Sequence, residues 1–174
     1  MKTFLRWLSI LPAVLMLFLI FRFSAQDGPS SGSLSYRVCC MILTFADRLF
    51  SLNLSSPAFV SHAEAMQIYV RKAAHITEYF LLTLSFFLPL RVLLPWKERN
   101  ATAKMFFCVY LLPAFALSLI AAGLDEFHQS FVPGRCGTPK DVLIDSIGMI
   151  FACIVLVLFR HLNQKKKRNL IRVS

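Results

Sequence analysis

Met105-Phe106-Phe107-Cys108-Val109-Tyr110-Leu111-Leu112-Pro113-Ala114-Phe115-Ala116-Leu117-Ser118-Leu119-Ile120-Ala121-Ala122-Gly123-Leu124 runs without a charge straight into Asp125-Glu126-Phe127-His128-Gln129. At 1.5 Å per residue the apolar run covers about 30 Å as a helix, the thickness of a bilayer's hydrocarbon core. The acids, imidazole and amide that follow sit where a membrane span ends. Ionisable groups are expensive there and point to a functional site.

The rest of the chain agrees with a membrane setting. Of 174 residues, 57% are hydrophobic and 16% charged, with a mean hydropathy of +0.63. That composition excludes an ordinary soluble domain. Four spans are predicted, at about 4–23, 73–94, 105–124 and 140–160, with a basic tail over 161–174. Lys2 and Arg6 also fit the basic start of a secretory signal. The apolar run after them is long, however, and Phe23-Ser24-Ala25 is a poor cleavage site, so the first span reads as a retained anchor.

Basic residues set the orientation. With both termini cytoplasmic, the inner segments hold 12 of the 19 basic residues (Lys2, Arg6, Arg91, Lys97, Arg99, Lys104, Arg160, Lys165, Lys166, Lys167, Arg168 and Arg172). Glu98 is then the only inner acid. The net charge of +10 is therefore a topology signal rather than a nucleic-acid footprint. The expected location is the plasma membrane, multi-pass, and the expected partners are lipids. The five cysteines show no metal-ligand spacing and no disulfide framework.

Between the first two spans, Ser24 to Ser33 reads as a turn-rich loop. Residues 34–54 are too interrupted by charge to span. Tyr36, Cys40, Leu43, Phe50 and Leu54 fall near one face, which predicts an interfacial or re-entrant helix. Ser61-x-x-Glu64 matches a capping box and predicts a helix start near His62. Thr138-Pro139-Lys140-Asp141 predicts another, with Asp141 serving as a helix cap or support. Pro89 and Pro113 are expected to kink their spans. The fold class is all-α: a single-domain integral membrane bundle of four transmembrane helices plus that additional helix.

Polar residues from three helices fall at one depth. Arg71, His75 and Glu78 share a face of the second span. Asp125, Glu126 and Gln129 mark the end of the third, and Asp145 lies about one turn inside the fourth. Arg135 occupies the Pro133-Gly134-Arg135 turn, where its fork suits a phosphate or carboxylate. Glu126, His75 and Asp125 are the candidates for general acid–base chemistry, because a carboxylate beside an imidazole suits a base. Arg71, Glu78, Gln129, Arg135 and Asp145 are the candidate ligand-binding residues. Lys72 reads as a headgroup anchor and His128 as an ordinary loop residue. Metal binding by His75, Glu78, Asp125 and Glu126 is chemically feasible, but the spacing matches no standard zinc or calcium motif, so no metal site is assigned. No cofactor motif is present either.

Four segments carry a resemblance: Phe23-Ser24-Ala25-Gln26, Arg71-Lys72-Ala73-Ala74-His75-Ile76-Thr77-Glu78-Tyr79, Asp125 to Arg135, and Asp141-Val142-Leu143-Ile144-Asp145-Ser146-Ile147-Gly148. Together they resemble the VanZ-like family, bacterial membrane proteins whose namesake is an accessory glycopeptide-resistance protein conferring teicoplanin resistance. The last motif usually carries Asn where this chain has Asp145. The resemblance implies a multi-pass protein of the cell envelope and brings no settled reaction with it. The resulting expectation is an outward-facing site for an anionic envelope lipid or lipoglycopeptide. A membrane-embedded hydrolase or transferase on a lipid-linked substrate, and a structural scaffold, are the alternatives.

Overall fold

The computed structural model describes residues 2–94 and 102–173, and every element among them is helical. The loop carrying Lys97, Glu98 and Arg99, expected on the inner side, lies outside the described residues. Helix α1 (Lys2–Trp7) passes through one 3-10 turn (Leu8–Ile10) into α2 (Leu11–Ser24). Pro12 explains the tightened turn, because it donates no N–H and its ring crowds the carbonyl four residues back.

The chain then turns by 108° into α3 (Gly28–Phe50). The expected loop over Ser24 to Ser33 is therefore mostly helix. Asp27 caps it by accepting from the Ser30 N–H at 2.9 Å, and Pro29 occupies the first turn. The serines return their hydroxyls to helix carbonyls, as Ser33 does to Ser30 and Ser35 to Gly32. That local bonding removes the need for a loop. Cys39 and Leu43 are buried on α3 and Tyr36 and Cys40 half-buried, but Phe50 is exposed and does not belong to the packed face.

Helix α4 (Ser56–Leu93) spans 38 residues, about 57 Å, and so exceeds the hydrocarbon core by nearly a factor of two. It begins six residues before the position expected from Ser61-x-x-Glu64. Ser55 takes the N-cap position and Pro57 the first turn, so Ser61 and Glu64 lie inside the helix. Its extra N-terminal length packs against α3 through Cys39, Leu43 and Ala63, with Phe59, Met66 and Val70 around them. Pro89 lies within α4 without ending it.

Helix α5 (Ala103–Phe106), a π-helical turn (Phe107–Leu111) and α6 (Leu112–Gln129) form one 27-residue run. The wide π turn absorbs Pro113, which follows at the start of α6. Helix α7 (Pro139–Val173) completes the chain. Among the described residues, three helices are long and apolar enough to cross a membrane: Ser56–Leu93, Ala103–Gln129 and Pro139–Lys166. Leu8–Ser24 and Gly28–Phe50 pass the same test only as a bent pair, which brings the number to four at most.

The bundle is apolar on both sides of its helices, as lipid-exposed segments must be. Phe18, Ile120 and Phe159 are all more than 60% exposed. Inside, small residues let α4, α6 and α7 approach closely: Ala121 and Ala122 pack with Tyr79, Leu82 and Met149. A Cβ at Gly148 would collide with the Ile76 carbonyl, so α7 rests directly on the α4 backbone there. Thr83 donates to Ser118 at 2.9 Å, tying α4 to α6 in the buried interior.

Candidate functional site

The close α4–α7 crossing puts His75 opposite Asp145, since Ile76 and Gly148 lie beside them in sequence. His75 Nδ1 approaches Asp145 Oδ1 to 3.5 Å. Asp125, Glu126 and Gln129, on the last turns of α6, are buried against them, as is Asp145. Ligand-capable atoms of His75, Asp125 and Glu126 lie within 4.8 Å of one another.

The segment over 130–138 folds back over this cluster and is held by backbone fit. Gly28 donates its N–H to the Pro133 carbonyl at 3.0 Å. A Cβ on Gly28 would collide with the carbonyl of Gly134, which itself takes φ +72, a left-handed conformation that favours glycine. Gly137 presses equally closely on the Glu126 carbonyl. The Thr138 N–H donates to Glu126 Oε2 at 2.9 Å. Thr138 also caps α7 as expected, accepting from the Asp141 N–H at 3.3 Å and donating its hydroxyl to Asp141 Oδ2 at 2.8 Å.

A second chain of contacts reaches the α2–α3 corner. Gln129 Nε2 donates to Asp125 Oδ2 at 2.8 Å, and Gln129 Oε1 accepts from Arg135 Nη1 at 3.2 Å. Arg135 Nη2 donates to the Phe23 carbonyl at 3.1 Å. Its Nε is buried without a partner. Burial first, and then the like charge of Arg71, hold Arg135 below its usual pKa, while Asp125 and Glu126 oppose the shift. Two guanidinium groups thus face the same space with donors to spare.

The carboxylates are poorly satisfied. Asp125 Oδ1 and both Asp145 oxygens are buried without a hydrogen bond, and so are His75 Nδ1 and the Tyr79 hydroxyl. Native proteins rarely leave buried polar atoms orphaned, and each case calls for an explanation.

Two cavities adjoin the cluster and share Arg71, His75, Gln129 and Arg135. One, of about 240 Å³, opens toward the α2–α3 corner between Ile20, Phe23, Leu34, Val38 and Val70, with Glu78 at its edge. The other, of about 320 Å³, is bordered by Lys72, Glu126, Asp141 and Asp145. Both chambers combine apolar and polar lining, and the second carries the larger polar share.

The structure thus assembles His75, Glu78, Asp125, Glu126, Gln129, Arg135 and Asp145 at one end of the bundle, with exposed Arg71 at the cavity mouths. His128 is not a loop residue. It lies in the last turn of α6, with Nδ1 3.4 Å from Ser24 Oγ and its ring edge-on to Phe21 at 6.2 Å. Sequence reasoning missed Tyr79, the Phe23 carbonyl and the Thr138 amide. Tyr79 was recoverable from its spacing four residues after His75; the two backbone groups left no sequence signal.

Fold and site together define a small multi-pass helical membrane protein with a buried acid–imidazole cluster under two guanidinium groups. A family model described as VanZ/LLP1 matches residues 9–160, and the chain belongs to that family. Comparison with the curated proteins and with the solved structures gives no match.

Proposed function

We propose that this VanZ-family protein binds an anionic, amphiphilic molecule of the cell envelope at the outer face of the plasma membrane. The paired cavities carry this reading. The more apolar chamber receives part of a lipid tail, and the chamber with the larger polar share receives the headgroup. Arg71 and Arg135 serve both chambers and supply paired, bidentate donors for phosphate or carboxylate. Their mutual repulsion is relieved when an anion lies between them. A lipid-linked cell-wall precursor or a lipoglycopeptide has the required chemistry, and protection against such an antibiotic is the physiology that follows.

Native mass spectrometry of the detergent-purified full-length protein, titrated with a polyprenyl diphosphate or with teicoplanin, tests the reading. Wild type retains one ligand per chain, and Arg71→Gln with Arg135→Gln lowers affinity at least about tenfold, the loss of one or more charge-assisted bonds. Unchanged binding by a normally inserted double variant overturns it. The outward orientation predicts that a membrane-impermeant thiol reagent labels exposed Cys136 in intact cells. Labelling only after permeabilisation reverses the orientation.

The approach of Asp145 to His75 supports a second reading, a hydrolase or transferase acting on the same lipid. An acid beside an imidazole orients it as a base. Turnover of a bound lipid that falls with His75→Gln while binding persists distinguishes this from binding alone.

A further inference from the structure

We infer that His75, Asp125 and Glu126 form a site for one divalent first-row cation, with Asp145 orienting the imidazole. Three observations support it. The first is convergence: side chains from two helices bring a nitrogen and two carboxylate oxygens within 4.8 Å of one another. Ligands on opposite sides of such an ion stand about 4.2 Å apart, twice a metal–oxygen or metal–nitrogen bond of about 2.1 Å. Small rotamer adjustments therefore close the set.

The second observation is the orphaned atoms. Asp125 is 1% exposed, and its Oδ1 has no partner even though Oδ2 accepts from Gln129. Asp145, also 1% exposed, has no hydrogen bond on either oxygen. An unpartnered buried carboxylate is costly, and coordination of a cation is one of the few ways to offset that cost. Glu126 keeps one oxygen on the Thr138 amide, which fixes its carboxylate and leaves the other free.

The third is charge. Glu78, Asp125, Glu126, Asp141 and Asp145 line the two cavities together with Arg71, Lys72 and Arg135, so five carboxylates face three fixed cations. A divalent ion balances this set. One imidazole with two or more carboxylates suits Mn²⁺ or Zn²⁺. Asp145 against His75 supplies the carboxylate–histidine contact that orients metal-bound imidazoles.

This site can be tested without any lipid, so its failure is separable from failure of the ligand reading. Full-length protein in detergent, stripped with EDTA, is titrated with Mn²⁺ and separately with Zn²⁺ by calorimetry, and the Mn²⁺ form is examined by pulsed electron paramagnetic resonance. The expected result is one ion per chain and a ¹⁴N coupling from imidazole. Asp125→Asn and Glu126→Gln lower affinity at least about tenfold. His75→Gln removes the ¹⁴N coupling even where residual Mn²⁺ binding persists. Glu64→Gln, on the exposed part of α4, leaves binding unchanged and serves as the acid control. Variants that keep the wild-type helical circular dichroism and elution volume are compared, so loss of fold is not read as loss of metal. Neither ion binding to wild type, binding unaltered in the Asp125 and Glu126 variants, or a ¹⁴N coupling that survives His75→Gln overturns the proposal.

Discussion

The two ends of the bundle carry charge in opposite ways. At the end where α4 finishes, Arg6, Arg91 and Arg160 each have a partner. Arg6 donates to the Val92 and Leu93 carbonyls at 2.9 and 3.3 Å. Arg91 lies over Tyr110 at 5.4 Å and Arg160 over Phe106 at 4.5 Å. Tyr110 donates its hydroxyl to the Leu94 carbonyl at 2.7 Å. At the other end, Asp125 Oδ1 and both Asp145 oxygens are buried without a hydrogen bond, and Arg135 keeps a buried donor unused. The first end is built for stability. The second holds unsatisfied groups that a ligand or ion would satisfy, which is how binding sites differ from packing.

Packing follows the same division. Large rings separate the helices at the satisfied end, where Phe87, Phe106 and Tyr110 meet edge-on. At the site end, Gly148 brings α7 directly onto the α4 backbone. Gly148→Val therefore has the largest expected effect. Its side chain meets backbone rather than a movable side-chain tip, so the cost exceeds about 3 kcal/mol. The variant should lose the wild-type elution profile in detergent and separate His75 from Asp145. A well-folded Gly148→Val protein with wild-type ligand binding would break the link between close packing and the site.

Much of this arrangement was legible before the structure. Hydropathy located the long spans, and helical spacing grouped Arg71, His75 and Glu78. Counting from the span ends put Asp125, Glu126 and Asp145 near one level of the bundle, where they do come together around His75. Helix starts were less readable: Ser61-x-x-Glu64 matches a capping box, yet Ser55-Ser56-Pro57 begins α4 earlier. Local cap motifs compete, and packing of α3 along the extra turns favours the longer helix. The serine-rich stretch misled for a related reason, because its hydroxyls bond within the helix. Backbone contributions to the site, such as the Phe23 carbonyl and the Thr138 amide, depend on tertiary approach and have no residue signature.

The contrast between the ends makes an intermediate prediction with two signs. Removing charge at the site end should stabilise the protein without ligand, whereas removing it at the satisfied end should destabilise it. Asp145→Asn keeps the shape, removes a buried carboxylate that makes no hydrogen bond and meets only His75, at 3.5 Å, and is expected to add about 1–3 kcal/mol. It also restores the residue usual in the motif this segment resembles. Arg160→Ala loses its contact over Phe106 and is expected to cost about 0.5–1 kcal/mol. Thermal unfolding in detergent, without added metal or lipid, compares the two. Destabilisation by Asp145→Asn would make that carboxylate a structural group and erase the distinction.

The smallest effect tests an acid at the site end that does have a partner. Asp27 is exposed, and hydrogen bonds from Ser30 hold its carboxyl below the ordinary value of 3.8. The ionised form is thus favoured more in the folded protein than in the unfolded chain. A depressed carboxyl pKa contributes stability that is complete above the unfolded value and declines as pH falls through the folded one. Asn at this position still caps a helix but has no proton to gain. The thermal midpoint of wild type should therefore exceed that of Asp27→Asn near neutral pH by a small margin, and the margin should close below about pH 4. A margin that persists at pH 3 would mean that Asp27 acts through the shape of the α2–α3 corner. The charge contrast would then narrow to the buried carboxylate oxygens of Asp125 and Asp145 that accept no hydrogen bond.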